Sequence, residues 1–379
     1  MPENSSPHPG GFDLCAAFSA VPPGPGTSPG PQAQDWSAHG PEVAVAPCTE
    51  AAWPVTVPLP GGAVAAGVRA SAPRELLEWF GALGHQLFFS EEFHRDEVSG
   101  RTLRVRRRPV PSAGAAYPVQ LHLRLGPWRL AYHQEHDAVH DLTCAFAHPA
   151  DFSASSQRQA RLTFTVLPGR SFSRYRHRAW TLWIADVAYA VEGARHVMGH
   201  APAIAPVREI GPSELARQAA LPARAFWPTP HPELAIQGLD VGRAVGGLLR
   251  LPALRPLPHR RSIPLKRLTA NTEPGPPPRP GRRPPAQQQL LAPEHCSEQV
   301  WLATWPHVRL FTVPATEDPL LLRRQLVDVH RRAARLTYAE AKAGRQVRPI
   351  SGFTDVPDRR DRCLHALVLE TSTKTGEPR

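Results

Sequence analysis

The chain has 379 residues, 44 of them basic and 33 acidic for a net charge of +11, with 45 Pro and 27 Gly. That length holds two ordinary domains, and its Pro and Gly lack the abundance and period of a collagen-like or wholly low-complexity chain. It has no uncharged apolar run long enough for a transmembrane helix, no basic and apolar start of a signal peptide, and no Cys-x-x-Cys pair among five scattered cysteines, so the expectation is a soluble cytoplasmic protein without a disulfide framework or zinc ribbon.

Residues 1–66 repeat Pro-Gly steps such as Pro22-Pro23-Gly24-Pro25-Gly26 and read as a mostly flexible leader. A first unit is expected over 67–250. Ser71-Ala72-Pro73-Arg74-Glu75 reads as a helix start with a capping serine, and Leu76, Phe80, Leu83 and Leu87 follow at helical spacing. From Pro118 the period becomes two. Val119, Leu121, Leu123 and Leu125 alternate with polar residues, predicting a strand with one buried and one polar face. Gly126-Pro127 turns into a second strand over 128–133, and Leu162, Phe164 and Val166 mark a third. Trp180, Ile184, Val187, Val191, Ala194 and Met198 then make one continuous stripe, suited to packing on another long helix.

A Pro-rich linker or arm is expected over 251–292, centred on the run from Pro276 to Pro285, and a second, reduced unit over 293–379. In that unit Val308, Leu310 and Thr312 predict a strand, Leu322, Leu326, Val329, Ala333 and Leu336 a helix, and Leu364 to Leu369 a strand covered on both faces. Ala303-Thr304-Trp305-Pro306 before the later strand echoes Ala115-Ala116-Tyr117-Pro118 before the earlier one. Two copies of one fold would pack around an internal pseudo-two-fold axis.

The most informative stretch is Pro111-Ser112-Ala113-Gly114-Ala115-Ala116-Tyr117-Pro118. Its small residues would let backbone and a hydroxyl approach a flat ligand, although an ordinary loop also uses Gly and Pro. The segment resembles the Pro-Ser-Ala-Gly-x-x-Tyr-Pro signature of azoline dehydrogenases, nitroreductase-like flavoproteins that oxidise thiazolines and oxazolines in ribosomally made peptides. Tyr132 and His140, the stretch Arg174-Tyr175-Arg176-His177-Arg178, and Ile350-Ser351-Gly352-Phe353-Thr354-Asp355 resemble weaker pieces of the same pattern.

The resemblance implies an α+β, nitroreductase-like fold in two tandem units and one composite FMN site. Pro111, Ser112, Ala113, Gly114 and Tyr117 would come from the first unit, and Arg260, Arg261, Ser262, Gly352 and Phe353 from the second. An arginine pair with a serine hydroxyl suits a phosphate, although a solvated basic arm reads the same way. The pseudo-symmetric site has lost its small-residue loop at Pro293 to Ser297. The implied reaction dehydrogenates azolines on a precursor peptide, alongside cyclodehydratase or other peptide-modifying partners.

A Lys-Tyr pair serves that chemistry in the family, but the only lysines here are Lys266, Lys342 and Lys374, and Arg174 takes the lysine's place. Arginine stays protonated, so it cannot be the base. Tyr175 becomes the candidate for proton transfer, with Arg174 lowering its pKa or orienting the substrate and His177 in reserve, beside the plain reading of a tyrosine packed before a helix. A scaffold subunit that keeps the fold is the alternative. A nucleic-acid-binding protein is a further one, motivated by basic runs that lack interleaved aromatics. His133, His136 and His140 invite a metal reading, but a strand followed by a turn is expected to splay them, so no metal site is expected.

Overall fold

The computed structural model describes residues 18, 55–58, 72–96, 99–141, 159–199, 234–245, 248–269, 299, 301–355 and 360–370. The proline run 276–285, the 293–297 segment, Ser71 and Cys144 lie outside them. The architecture is α+β, as the sequence pattern implies.

In chain order the main elements are β1 (Val55–Pro58), α1 (Arg74–Phe88), β2 (Phe93–Arg95), β3 (Thr102–Arg106), β4 (Val119–Leu125), β5 (Trp128–His133), β6 (Ala138–Asp141) and β7 (Gln159–Val166). Then come α2 (Gly169–Tyr175), α3 (Ala179–Val197), β8 (Leu234–Val245), β9 (Leu248–Arg250), α4 (Leu265–Thr269) and α5 (Trp301–Thr304). The chain continues through β10 (Val308–Pro314), α6 (Pro319–Lys342), β11 (Val347–Ser351) and β12 (Asp361–Leu369). One antiparallel sheet runs β1-β6-β5-β4-β7-β8-β9 and a second runs β10-β12-β11, while β2 and β3 pair alone.

The α1 stripe is fully buried at Leu76, Phe80, Leu83 and Leu87, and it meets Leu121, Phe164, Trp183 and Val187 in the largest core. The helix begins at Arg74 on Pro73 with no side-chain cap, so the capping-serine reading does not apply to the observed start. Instead Pro73 O accepts the amides of Leu76 and Leu77, and Asp141 Oδ2 accepts that of Ala72 at 2.9 Å. Gly84 lets α1 lie on β5, since a Cβ there would collide with the Tyr132 ring. Gly84→Ala, which helix propensity alone would favour by about 1 kcal/mol, is therefore expected to cost about 1–3 kcal/mol through overpacking. A urea denaturation midpoint that rises in this variant would overturn the packing argument.

Three expectations need correction. The second face of β4 is not solvated: Gln120 and His122 are buried, beside Thr163 and Thr165 of β7, because β4 is the central strand of seven. Nor do the histidines splay. Antiparallel pairing of β5 and β6 puts His133 and His140 on one face with ring centroids 5.1 Å apart, and His136 stacks on His133 at 4.2 Å. The His133 Nδ1 accepts the His136 amide, and no such cluster among the described residues has metal-holding geometry. Lastly, two parts of the leader are docked. Val55–Pro58 is an edge strand on β6, and Phe18 is buried against Ile184, Leu322 and Leu326 with the Arg362 guanidinium 4.5 Å above its ring.

α3 is buried around most of its circumference and packs along α6. The seam is polar as well as apolar. Tyr338 Oη donates to Tyr189 O at 3.0 Å, Tyr189 Oη meets His365 Nε2 at 3.0 Å, and His365 Nδ1 faces His330 Nδ1 at 3.2 Å. Burial holds His330 down to about 3 and His365 well below the usual imidazole range, so both are neutral at pH 7. Residues 251–264, inside the expected linker, have no regular structure. They form a strap tied by Trp79 Nε1 to Pro252 O, Arg255 N to Val197 O and Leu257 N to Gln86 Oε1. No described helix is long and apolar enough to cross a membrane.

Candidate functional site

The loop that enters β4 has an uncommon backbone. Gly114, Ala115 and Tyr117 all take positive φ, at 56°, 56° and 45°. Only glycine adopts that region without cost, and a non-glycine residue there is held by its surroundings at about 1–3 kcal/mol each. The restraints are visible. Ser112 Oγ donates to Asp186 Oδ2 at 2.6 Å, Ala113 N donates to Asp186 Oδ1 at 3.0 Å, and Tyr117 N donates to Ser112 Oγ at 2.9 Å. From the other side Arg170 Nη1 reaches Tyr117 O at 3.0 Å. Asp186 is buried on α3, and burial pushes its carboxyl up to about 7 against the opposing pull of the Ser112 and Ala113 bonds.

Tyr117 turns its ring into a basic pocket. Its hydroxyl accepts the Arg108 amide at 3.2 Å and meets His94 Nε2 at 2.7 Å, while the Arg108 guanidinium stacks 4.9 Å from its ring. Arg108 pairs with Glu135 through Nη2, leaving Nε and Nη1 buried with no acceptor. Arg260, from the strap, donates to Ser262 Oγ and also leaves its buried Nε without one. Burial lowers the pKa of both arginines. Arg260 lies near enough to Tyr117, Tyr189 and Tyr338 to feel their hydroxyls, and His94 is held down by burial and by Arg107 and Arg260. Arg107, Arg108, His259 and Arg260 line one cavity of about 300 Å³, in which Glu92 is the only carboxylate among the described residues.

On the loop itself, a Cβ on Gly114 would collide with Tyr175 Oη and lie 2.9 Å from Arg174 Nη1. Arg174 also donates to Gly114 O at 3.4 Å and stacks 5.5 Å from the Tyr175 ring. Arg174 acts on Tyr175 in the expected direction, but burial outweighs it and Asp186 adds to burial, so the Tyr175 pKa is raised. The phenol is therefore neutral at pH 7, a hydrogen-bond donor rather than a ready base, and the lowering expected from Arg174 is outweighed by burial.

The remaining candidates fall into two groups. Ser112, Ala113, Gly114 and Tyr117 lie beside Tyr175 and Arg174, and Arg260 is close to Tyr117. Pro111 is buried at the base of the loop, and His177 is buried in the 3₁₀ turn between α2 and α3. Arg261 is exposed and faces a different cavity, and Phe353 is packed into the second core with Ile263, Trp301 and Ile350. Gly352, at φ 83°, makes the turn out of β11. Sequence reasoning missed Asp186, Arg108, Arg170 and His94. An acid inside the apolar stretch Trp183-Ile184-Ala185-Asp186-Val187-Ala188 was a usable signal for the first.

No protein-family model and no curated protein matches the chain. Solved structures that resemble it include a protein from Anabaena variabilis described as a nitroreductase, at 15% identity over 82% of this chain and 90% of that one, with a TM-score of 0.48. A chain of the E. coli microcin synthetase McbBCD complex, bound to truncated pro-MccB17, is similar at 16% identity over 48% of this chain and 74% of that one, with a TM-score of 0.30. A Ralstonia eutropha protein described as a nitroreductase is similar at 16% identity over 59% and 98% of the two chains, with a TM-score of 0.29.

Proposed function

We propose that the protein is a nitroreductase-like, FMN-dependent dehydrogenase that oxidises thiazoline or oxazoline rings to azoles on a ribosomally made peptide. The observation that carries the reading is the Pro-Ser-Ala-Gly loop. It is held in a left-handed conformation by a buried carboxylate and joined through Tyr117 to a pocket of arginines with unsatisfied buried nitrogens.

The donor set fits the phosphate end of FMN. Arg108 and Arg260 would hold the phosphate through the nitrogens that lack acceptors, with Arg107 and His259 on the same cavity wall. The partly exposed backbone of Ser112, Ala113 and Gly114 would face the flat end. When bound, the flavin supplies the two-electron acceptor for ring oxidation.

The chain's own residues have separable tasks. Tyr175, neutral and lying on Gly114, orients the ring by donating a hydrogen bond from Oη. Arg174 keeps a fixed positive charge over the same loop. The group able to change protonation near neutrality is Asp186, which reaches the loop through the Ser112 hydroxyl. As Ser112 Oγ takes a proton from the substrate side, its own passes to Asp186 Oδ2.

A peptide-modifying assembly is the proposed setting, with the precursor peptide and its cyclising enzymes as partners. The scaffold alternative draws on one observation, the Tyr175 hydroxyl occupying the space above Gly114.

Purified protein mixed with FMN is expected to retain a flavin absorption band through gel filtration. Loaded protein is expected to remove two hydrogens per azoline ring from a cyclised peptide, read by mass spectrometry. Tyr175→Phe is expected to slow that reaction about 10²-fold while leaving flavin retention intact. Colourless protein sinks the cofactor assignment, flavin-loaded protein that leaves the rings unoxidised selects the scaffold, and unchanged azole formation in Tyr175→Phe removes the role given to Tyr175.

A further inference from the structure

A second cavity, of about 580 Å³, lies beside the first and shares Pro256, Pro258 and His259 of the strap with it. Its other walls are the C-terminal ends of the two long helices, His196 of α3 with Gly199 just beyond it and Ala341 and Lys342 of α6 with Gly344 just beyond it, together with Arg255, Arg261 and Arg345. No carboxylate among the described residues lines it. Arg345 is neutralised by a two-pronged pair with Glu340, but Arg255, Arg261 and Lys342 have no carboxylate partner among the described residues. Arginines elsewhere in the fold commonly do, as in Arg108 with Glu135, Arg161 with Asp240 and Arg362 with Asp355.

Helix C-termini attract cations, which is one reason for basic residues here. Two termini, however, supply only about one negative charge between them, against three formal cations. The excess faces the cavity, and the backbone that carries Arg255 and Arg261 is held in place. Arg255 N donates to Val197 O at 2.6 Å, and Arg261 O accepts from Val347 N at 3.0 Å, so both ends of the strap are pinned. The Arg255 guanidinium also rests on Gly199, whose positive φ of 74° leaves no side chain in the way, with Cζ 3.1 Å from where a Cβ would sit. A fork of guanidinium donors is geometrically matched to phosphoryl oxygens, and pre-organisation lowers the entropy lost on binding.

We propose that this cavity is a binding site for a ligand carrying two linked phosphoryl groups, held by Arg255, Arg261 and Lys342. It is distinct from the cavity that contains Arg260. Its volume takes a nucleoside diphosphate or a smaller diphosphate, a size within the ordinary range of small-molecule pockets.

Titration calorimetry of the full chain with inorganic pyrophosphate and with ADP tests the assignment. Saturable binding is expected at physiological salt, weakened about tenfold or more by the double substitution Arg255→Gln with Arg261→Gln and by Lys342→Gln, and unchanged by Arg260→Gln. Tighter binding of ADP than of pyrophosphate points to a nucleotide, and equal binding to a free diphosphate; both support the site. Absence of binding, equal binding by the variants, or tighter binding of hexaglutamate each overturns it. Because the titration needs no flavin, it stands apart from the proposed dehydrogenase activity. Competition between FMN and pyrophosphate would overturn the separateness of the two cavities. The three side chains lie on loop and helix-end surface, and unchanged melting temperatures confirm that the variants fold.

Discussion

Asp186→Asn is expected to make the protein more stable and less active, with the stability gain growing as the pH rises. Asp186 is buried on α3 with no cation paired to it among the described residues, and burial raises its carboxyl from 3.8 to about 7. The folded state therefore binds this proton more tightly than the unfolded state does. Below about pH 4 both states are protonated and the group is neutral in the balance. Between pH 4 and 7 the unfolded chain ionises first and stability falls, levelling above pH 7 at a cost of roughly 4 kcal/mol. Asparagine cannot ionise and removes that fall. It also cannot accept from both Ser112 Oγ and Ala113 N in the same way, so the left-handed loop loosens. Azole formation is expected to drop about 10²-fold, as small misplacements do in active sites. Thermal melts of both proteins at pH 5, 6, 7 and 8 read the first effect and peptide mass spectrometry the second. Parallel melting curves across that range would refute the burial argument.

Glu192→Ala is expected to act in the opposite sense and to be the most destabilising substitution proposed for this protein. Glu192 is 1% exposed on α3, and its Oε1 accepts from Arg331 Nε at 2.6 Å, Arg335 Nη1 at 3.2 Å and Arg195 Nη1 at 3.5 Å. Removing the carboxylate leaves Arg331, largely buried on α6, facing two other cations without an anion between them. Breaking one partner out of a buried ion pair costs about 3–5 kcal/mol, and the partial exposure of Arg335 places the expectation near the lower figure. Urea denaturation followed by far-ultraviolet dichroism measures it. A loss under about 1 kcal/mol would mean the network behaves as a surface ion pair. The two acids of α3 thus work on different sides of the helix, one holding the loop and the other holding α6.

Much of the fold was legible because apolar spacing reports burial directly. The strands at Val119–Leu125, Trp128–His133 and Gln159–Val166 and the helices Arg74–Phe88, Ala179–Val197 and Pro319–Lys342 all sit where period two or the four-three spacing places them. The long strand Leu234–Val245 escaped because Gly238 and Gly242 interrupt its alternation, and its pairing with β7 slips register at Ala160/Arg161 and Phe164/Thr165. β11 escaped because Pro349 sits inside it, which edge position permits.

At the site, small residues before a strand pointed to the loop. Its restraint did not show, because Asp186 looks like an interruption in a hydrophobic stripe until α3 proves to be buried nearly all round. A stripe marks one buried face and is silent about the others. Arg108 stood in a basic run and Arg260 beside Arg261 as a phosphate candidate, and only the fold shows that Arg108 is buried and that the Arg260 Nε is buried while Arg261 is exposed.

The polar seam between α3 and α6 has a kinetic consequence. Its bonds from α3 to the later elements join residues 139 to 176 positions apart, from Arg331 with Glu192 to Tyr189 with His365. Each α-helix forms on local contacts, but closing so long a loop loses much chain entropy before any of those bonds can form. The seam therefore closes late in folding. Until it does, the faces of the two long helices that will meet each other are open to other chains.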